Sequence, residues 1–373
     1  MIAATRPVQR PPDARLLVID PGGAMMHAAR SSVADYLERG DLVVANDAAT
    51  LPASLHGVHL QSGAPVEARL AGRSSLAHAE LRFSAVVFGA GDWRTRTEDR
   101  PLPPPLALGD RMAFGPLRAT VAGALGHERL VALDFEGEAD AVWTGIARHG
   151  RPIQYAYLER SLALRDVWTP IAALPVAFEA PSAGFALDWK ALSALRDRGV
   201  AFATITLAAG ISSTGDPALD ARLPLDEPYR VPAASASAIL RAKAERRRVV
   251  AVGTTVVRTL EHSGGRAGAG VADQRIGPGT RLRVVDALLS GTHEPQESHY
   301  QLLRAFQDDV VLSRAGAALE AARYRTHEFG DSVLVFSRQG LFGSGPSPEC
   351  PAPPASRAAR GTPAIRDGRP PPE

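Results

Sequence analysis

The chain has 373 residues, 45% of them hydrophobic, and a formal charge of +2, so it is long enough for two domains and a sizeable buried core. Its N-terminal residues lack the apolar centre of a secretory signal, and it contains no run of about 18 apolar residues that would predict a membrane span. One cysteine, Cys350, excludes an internal disulfide and a cysteine-based zinc site. We therefore expect a cytoplasmic protein with no membrane partner, either a monomer or a weak oligomer.

The basic side chains are almost all arginines. Lys190 and Lys243 are the lysines, and the other basic residues in a set of 42 are arginines. Guanidinium groups bind phosphates through paired hydrogen bonds and stack on bases, which would suit an RNA partner. A GC-rich genome would produce the same bias together with the abundant Ala, Gly and Pro, and we prefer this explanation. The small net charge does not itself indicate nucleic-acid binding.

The order of predicted elements indicates an α/β protein with an inserted β-domain. Residues 15–20 and 40–47 are predicted as strands, with a helix near 31–39 between them. Between 58 and 146, Gly and Pro separate short segments of alternating polarity, which is typical of a small barrel or sandwich, and we expect no helix there. These predicted strands are 66–72, 79–89, 111–115, 117–125 and 129–137.

After residue 147 helices and strands alternate again. Residues 188–199 and 234–248 are predicted as helices, each followed by a strand, at 200–207 and 249–253. The fold class is therefore a main α/β domain, formed by residues 13–57 and 147–337, with an inserted small β-barrel-like domain at 58–146. The Pro- and Arg-rich segment 338–373 is predicted to be a disordered tail.

Residues 249–261, VVAVGTTVVRTLE, combine a buried strand with the start of a helix. Gly253 permits a tight turn, and Thr254 or Thr255 is predicted to cap the helix. A helix N-terminus attracts carboxylates and phosphates, and Arg258 lies one turn further along. From these residues alone a plain connection between strand and helix is favoured over a ligand site.

Two further segments place small residues where the backbone can approach a ligand closely. They are residues 179–189, EAPSAGFALDW, and residues 206–216, TLAAGISSTGD. The hydroxyl groups available there belong to Ser182, Ser212, Ser213 and Thr214. The alternative is two ordinary loops, in which Asp188 caps its helix.

Residues 290–306, SGTHEPQESHYQLLRAF, raise the question of a metal site. His293 precedes Pro295 and is expected in a loop, whereas Glu297 and His299 are two residues apart and would diverge on a helix. We therefore expect no metal at these residues or at the neighbouring Glu294. Since no G-x-S-x-G motif is present and Cys350 lies in the predicted tail, a serine or cysteine hydrolase is unsupported.

Five collinear segments resemble the S-adenosylmethionine:tRNA ribosyltransferase-isomerase family. Residues 39–57 resemble GDLLVFNDTRVIPARLFG, residues 249–261 resemble IAVGTTVVRTLE, and residues 179–184 resemble the start of AAPTAGLHF. Residues 278–295, PGTRLRVVDALLSGTHEP, and 322–336, ARYRTHEFGDSVLVF, resemble the family's PG-F-VD-L-TNFHLP and YRFFSYGDAMLI segments. The resemblance extends from about Arg15 to Phe336.

The resemblance implies both a fold and a reaction. The fold is an α/β domain with an inserted β-barrel-like domain, and no metal is expected. The reaction transfers and isomerises the ribosyl part of S-adenosylmethionine onto 7-aminomethyl-7-deazaguanine in tRNA to form epoxyqueuosine, with release of adenine and methionine. S-adenosylmethionine is thus a consumed substrate, and tRNA is the implied partner.

The resemblance also implies site residues. We expect Asp47, Glu227 and His293 to be candidates for proton transfer. We expect Arg258 and the turn at Gly253–Thr255 to hold the donor's carboxylate or a tRNA phosphate. The substrate-binding positions that match the family are Asn46, Ser182, Gly184, Gly210, Gly253, Thr254, Thr255, Arg258, Tyr324 and Asp331.

The chain departs from the family pattern at several positions. Ala186 replaces the histidine of AAPTAGLHF, and Arg222 and Leu225 replace the two histidines of an H-x-M-H-x-E motif. Ala49 and Ser54 replace arginines. These departures indicate a divergent paralogue. The alternatives to the family reaction are a transferase for another nucleoside-type or small-molecule acceptor, and a non-catalytic protein that binds a nucleoside or tRNA.

Overall fold

The computed structural model describes residues 1–295 and 297–338. The prediction of a disordered tail, together with Cys350, falls from residue 339 onward outside the described residues. In chain order the strands are β1 Ile2–Ala3, β2 Arg15–Ile19, β3 Met25–Ala29, β4 Leu42–Asn46, β5 Ala48–Thr50, β6 Ser54–His59, β7 Pro65–Gly72, β8 Arg82–Phe88, β9 Arg111–Phe114, β10 Leu117–His127, β11 Leu130–Phe135, β12 Leu174–Ala177, β13 Ala201–Leu207, β14 Glu227–Val231, β15 Val249–Val252, β16 Gly268–Ala272, β17 Ala287–Gly291, β18 Arg325–Thr326 and β19 Ser332–Phe336.

The helices lie mostly in the second half of the chain. They are α1 Ala139–His149, α2 Leu164–Val167, α3 Trp189–Asp197, α4 Pro217–Asp220, α5 Ala233–Ala244, α6 Thr254–Ser263, α7 Ser298–Leu303 and α8 Asp309–Ala321. Shorter 3₁₀ helices cover Arg30–Tyr36, Thr97–Asp99 and Ser182–Ala186. Among the helices of the described residues, none is long and apolar enough to cross a membrane.

A nine-stranded mixed sheet forms the centre of the α/β part. Its order is β16-β14-β13-β4-β15-β17-β19-β2-β3. The strands β13, β4, β15 and β17 are parallel to one another, and β19 runs antiparallel to β17. Both β4 and β15 are buried along their whole length, as expected of parallel strands covered on both faces. The predicted strands at 40–47 and 249–253 are confirmed, as is the predicted burial of the second.

Alternate residues of these strands pack on opposite faces of the sheet. Val249 and Ala251 join the larger apolar cluster, which continues into the barrel, whereas Val250 and Val252 join a second cluster on the other face. The barrel and one face of the sheet therefore share one hydrophobic core.

Six antiparallel strands close into a barrel in the order β10-β11-β8-β7-β6-β9. The predicted fold class, an α/β protein with a small β-barrel, is confirmed. The barrel strands run from Ser54 to Phe135. The division into domains at 13–57 with 147–337 and at 58–146 stays a prediction.

Two predictions about helices need correction. Helix α1 begins at Ala139, inside the region expected to lack helices. A Cβ atom at Gly145 of this helix would lie 2.4 Å from the Leu117 side chain. Packing against the barrel therefore requires glycine at this position, although glycine is a weak helix former. The predicted helix near 31–39 is a 3₁₀ helix at Arg30–Tyr36.

A buried charge cluster lies inside the barrel region. Glu67 accepts hydrogen bonds from Ser54 Oγ and Arg69 Nε, both at 2.8 Å, and a third from Arg100. Burial alone would raise the pKa of Glu67, but Arg69 and Arg100 lower it to about 2. The carboxylate therefore stays ionised and compensates two buried guanidinium groups.

We expect Glu67→Gln to lower the free energy of unfolding by about 3–5 kcal/mol, because it leaves two buried positive charges without their anion. The contribution of Glu67 is present above the unfolded-state pKa of 4.5 and is lost as the pH falls towards about 2. Urea unfolding at pH 7 and at lower pH measures both effects. The control is Asp134→Asn, which removes an exposed pair with Arg82 in the same barrel and should change stability little. Equal losses in the two variants would contradict this account.

Candidate functional site

Four of the predicted site residues lie at one edge of the central sheet. Because β13, β4, β15 and β17 are parallel, their carboxyl ends share an edge, which is where open α/β sheets bind ligands. Asp47 follows β4, Gly210 lies in the loop after β13, Gly253 follows β15, and His293 lies just after β17. Segments that are distant in the sequence thus meet at this edge.

The turn at Gly253 has a backbone that requires glycine. Its φ of 101° and ψ of 145° lie in a region that residues with a Cβ atom avoid. Helix α6 begins at Thr254, and Gly253 is its N-cap without a side-chain hydrogen bond. The prediction that Thr254 or Thr255 caps the helix is therefore wrong, since both lie inside its first turn. A Cβ atom on Gly253 would lie 3.7 Å from Ala183, so the turn faces the 3₁₀ helix at Ser182–Ala186.

A buried ion pair joins Arg258 to Glu227. Arg258 Nη1 donates to Glu227 Oε2 at 2.7 Å, and the backbone N–H of Gly210 donates to Glu227 Oε1 at 3.0 Å. Arg258 also donates to the backbone carbonyls of Leu225, Ala272 and Gln274. Burial raises the pKa of Glu227, and Arg258 and Gly210 partly offset that rise. The Arg258 guanidinium thus has its partners inside the protein, which argues against the expected contact with a ligand anion.

Asn46 and Asp47 differ in what their side chains do. Asn46 is buried and joins β4 to β13: its Oδ1 accepts from Leu207 N at 3.1 Å and its Nδ2 donates to Leu207 O at 3.1 Å. Asp47 is half-buried, and its Oδ1 accepts from Thr206 Oγ1 at 2.7 Å. Of these two residues, Asp47 is therefore the one whose side chain a ligand can approach.

The segment with Ser182 and Gly184 packs closely on its neighbours. A Cβ atom on Gly184 would lie 3.0 Å from Thr169, and Ser182 is half-buried at the start of the 3₁₀ helix. The prediction that Asp188 caps the next helix is confirmed, because its Oδ1 accepts from Ala191 N at 2.7 Å. Gly210 is similarly confined, since a Cβ atom there would lie 3.0 Å from a carbonyl oxygen of the barrel.

Tyr324 and Asp331 surround Arg15 at the start of β2. Asp331 accepts hydrogen bonds from the backbone N–H groups of Arg15 at 2.9 Å and Arg325 at 2.8 Å. The Tyr324 ring is fully buried, with the Arg15 guanidinium 4.2 Å from its centroid, and its hydroxyl donates to Leu16 O at 3.1 Å. These contacts hold β2 beside β19, so both residues have structural partners.

Sequence reasoning missed a carboxyl group beside the predicted loops. Glu179 Oε2 accepts from the backbone N–H of Ser212 at 3.0 Å and from its hydroxyl at 2.7 Å, and Tyr155 donates to Glu179 Oε1. Tyr155 stacks on Tyr157, which donates to Glu328. Burial, and then the charge of Glu328, raise the pKa of Glu179 to about 7.

A signal for Glu179 was present in the sequence. It opens the segment EAPSAG, whereas the family pattern AAPTAGLHF begins with alanine at that position. An ionisable residue beside a small-residue turn is a candidate for chemistry. Its partner Tyr155 comes from the segment between α1 and α2, so the contact itself has no signature in the local sequence.

The structure brings His293, Glu297 and His299 together, contrary to the expectation that they diverge. Each offers one ligand atom, and these atoms lie within 4.8 Å of one another. The geometric argument was wrong because Glu297 is the N-cap of α7, with an extended backbone (φ −77°, ψ 146°), and is not inside the helix. Burial, and then the charges of His293 and Arg258, lower the pKa of His299.

The residues at the positions that depart from the family pattern are buried, exposed, or in contact with one of the two buried ion pairs. Ala49 and Ala186 are buried, and Arg222 is exposed. Ser54 Oγ donates to the buried barrel carboxylate described above. The backbone carbonyl of Leu225 faces the guanidinium of the buried ion pair. Three histidine side chains of the pattern are thus replaced by groups that do not transfer protons near neutral pH.

Comparison with known proteins gives a match over nearly the whole described chain. A family model for "Queuosine biosynthesis protein" matches residues 1–335. The S-adenosylmethionine:tRNA ribosyltransferase-isomerases of Sorangium cellulosum and Citrifermentans bemidjiense are each 33% identical over 90% of this chain, and over 95% and 96% of their own lengths. That of Synechococcus elongatus is 30% identical over 86% of this chain and 89% of its own length.

One solved structure is also similar. The crystal structure of S-adenosylmethionine tRNA ribosyltransferase from Thermotoga maritima is 24% identical and has a TM-score of 0.48. The match covers 89% of this chain and 96% of the other.

We expect Gly253→Ala to destabilise the protein by about 1–3 kcal/mol, because the backbone at this turn lies in a glycine-only region. The added methyl group would have room, since its nearest neighbour would lie 3.7 Å away, so the cost comes from the backbone. Thermal or urea unfolding measures the change. The control is Gly316→Ala in α8, where a Cβ atom would meet nothing within 4 Å. This substitution should stabilise the protein by about 0.5–1 kcal/mol. A neutral Gly253→Ala would refute the argument.

Proposed function

The chain belongs to the queuosine biosynthesis protein family, and we propose that it is an S-adenosylmethionine:tRNA ribosyltransferase-isomerase that forms epoxyqueuosine in tRNA. The observation that carries this proposal is the match to relatives of that name along 90% of the chain. The resemblance noted in the sequence involves the same segments that meet at the carboxyl edge of the central sheet. Its substrates would be S-adenosylmethionine and tRNA, and its compartment the cytoplasm. We propose a monomer or weak oligomer.

The turn at Gly253 supports a place for an anionic group of the donor. Helix α6 begins there without a side-chain cap, so its first N–H groups and the positive end of its dipole are available to a carboxylate. S-adenosylmethionine carries a carboxylate at one end and a nucleoside at the other. We propose that the Gly253–Thr255 turn receives the donor's carboxylate, beside Ala183 of the neighbouring 3₁₀ helix.

Arg258 and Glu227 then have a positioning role. Glu227 fixes the backbone of Gly210 through one oxygen and is itself held by Arg258 through the other. Loss of Arg258 would leave a buried carboxylate without a counter-charge. We therefore assign Arg258 to the architecture of the loop after β13, and no longer to contact with a ligand phosphate.

Proton transfer requires a group that can change its charge near neutral pH. A base that removes a proton from the carbon beside the sulfonium generates the nucleophile the reaction needs. Asp47, Glu227 and His293 remain the candidates matched to the family. We add Glu179 and prefer it, because its carboxyl group has a pKa of about 7 and touches the loop that carries Ser212.

One observation favours an alternative acceptor of the ribosyl group in place of tRNA. Three histidines and two arginines of the family pattern are replaced, at Ala186, Arg222, Leu225, Ala49 and Ser54. If the acceptor is a small nucleoside-type molecule, adenine release will not depend on tRNA. If the protein only binds a nucleoside or tRNA, ligands will raise its melting temperature without turnover.

The test of the proposed function is release of adenine. Purified protein is incubated with S-adenosylmethionine and tRNA carrying 7-aminomethyl-7-deazaguanine, and adenine is quantified by chromatography. We expect adenine in proportion to the modified tRNA formed. A family enzyme run in parallel verifies the substrates, and tRNA without the modified base is the negative control. Absence of adenine while the parallel enzyme works would refute the proposal.

We expect kcat/KM for adenine release to rise with pH through an apparent pKa near 7, since Glu179 must be deprotonated to act as the base. Glu179→Gln should remove this rise and lower kcat by about 10²–10⁴-fold. Glu328→Gln provides a matched variant, because the charge of Glu328 raises the pKa of Glu179. This substitution should move the inflection to lower pH with activity retained. An unchanged pH profile in both variants would exclude Glu179 as the base.

A further inference from the structure

We propose that His293, Glu297 and His299 form a binding site for a single divalent transition-metal ion, for which Zn²⁺ is the best match. The three side chains each present one ligand atom, and all three atoms lie within 4.8 Å of one another. The proposal goes beyond the transferase reaction, since neither the family match nor the sequence motifs assign a metal. Glu297 and His299 also lie beyond the segment 278–295 that carries the resemblance.

Three different backbone environments hold the ligands. His293 lies in the loop that follows β17, Glu297 is the N-cap of α7, and His299 is the second residue of that helix. The two imidazole rings are tilted by 56°, with centroids 4.9 Å apart. The rings are therefore tilted and do not stack, an arrangement compatible with two ligands to one ion.

His293 is oriented by a buried hydroxyl group. Its Nε2 lies 2.7 Å from the Oγ atom of Ser290, a residue that is 3% exposed. Its Nδ1 lies 3.1 Å from Glu297 Oε2. When Nε2 donates to Ser290, the lone pair of Nδ1 faces a carboxylate, and a cation bound between the two atoms satisfies both. A histidine ligand usually donates its other ring N–H to a carboxylate, a backbone carbonyl or water, and here the Ser290 hydroxyl occupies that position.

The ligand set matches the chemistry of zinc. Two imidazoles and one carboxylate form the protein ligands of many catalytic zinc sites, which keep a fourth position for water or substrate. Zinc-to-ligand distances of about 2.0–2.2 Å place tetrahedral ligands about 3.4 Å apart. The His293–Glu297 separation of 3.1 Å is already near this value. Cobalt(II) accepts the same ligands and gives a visible spectrum.

The site adjoins the edge of the sheet where the predicted residues meet. The positive charge of Arg258 acts on His299, and His293 directly follows the central strand β17. A metal at this position would stabilise negative charge next to this edge of the sheet or fix the loop after β17. It would also connect β17 to α7 by bonds that the polypeptide alone does not provide.

The test uses full-length, untagged protein freed of metal with a chelator. We expect calorimetric titration with ZnCl₂ to show one ion per chain, and CoCl₂ to give the visible absorption of a four-coordinate site. Glu297→Gln and His299→Ala should each weaken zinc binding by at least about 100-fold, and Ser290→Ala by about 10–100-fold. The control is His78→Ala, which alters an exposed histidine paired with Asp140 and should leave binding unchanged.

Circular dichroism and metal-free melting curves establish that each variant is folded. Glu297→Gln conserves shape at a side chain that is 40% exposed, so it tests the site even where His299→Ala destabilises the core. Wild-type protein that shows no 1:1 saturation would overturn the proposal. Equal affinity in wild type, Glu297→Gln and His299→Ala, or a loss caused by His78→Ala alone, would equally overturn it, because the binding would then be adventitious.

Discussion

The buried ion pair between Arg258 and Glu227 is the constraint that joins three segments around the predicted site. Arg258 projects from α6, Glu227 begins β14, and the pair reaches through Gly210 to the loop after β13. A buried charge pair is tolerated because the remaining guanidinium hydrogens are donated to backbone carbonyls. The ion pair therefore links the loop after β13 to α6, the helix that begins at the Gly253 turn.

The fold was largely predictable, for reasons that individual elements illustrate. Strands β4 and β15 are continuous apolar runs, since parallel strands inside an α/β protein are covered on both faces. Strand β10 alternates buried and half-buried residues through its first part, which is typical of a barrel wall. Helix α1 was missed because Gly145 and neighbouring β-branched residues disfavour a helix locally. Gly145 packs closely against Leu117 of the barrel, a tertiary contact that local sequence does not encode.

The site was only partly predictable. The segments with Asp47, Gly210, Gly253 and His293 meet because parallel strands end at one edge, and that rule applies to the sequence once the strands are assigned. Glu179 depends on a tyrosine from a distant segment. The convergence of the two histidines with Glu297 depends on a helix that begins one residue later than a uniform helical pattern would suggest. Contacts of this kind are set by backbone geometry and not by residue spacing.

Three glutamates show how one residue type acquires different roles. Glu67 lies between two arginines, which lower its pKa to about 2, so it remains charged and serves the barrel. Glu227 has one arginine, which only partly offsets the effect of burial. Glu179 has hydroxyl partners and a nearby carboxylate, Glu328, and its pKa rises to about 7. Environments that separate the pKa values of identical groups distinguish structural acids from those that exchange protons. By this criterion Glu179 is the glutamate of the three suited to proton transfer.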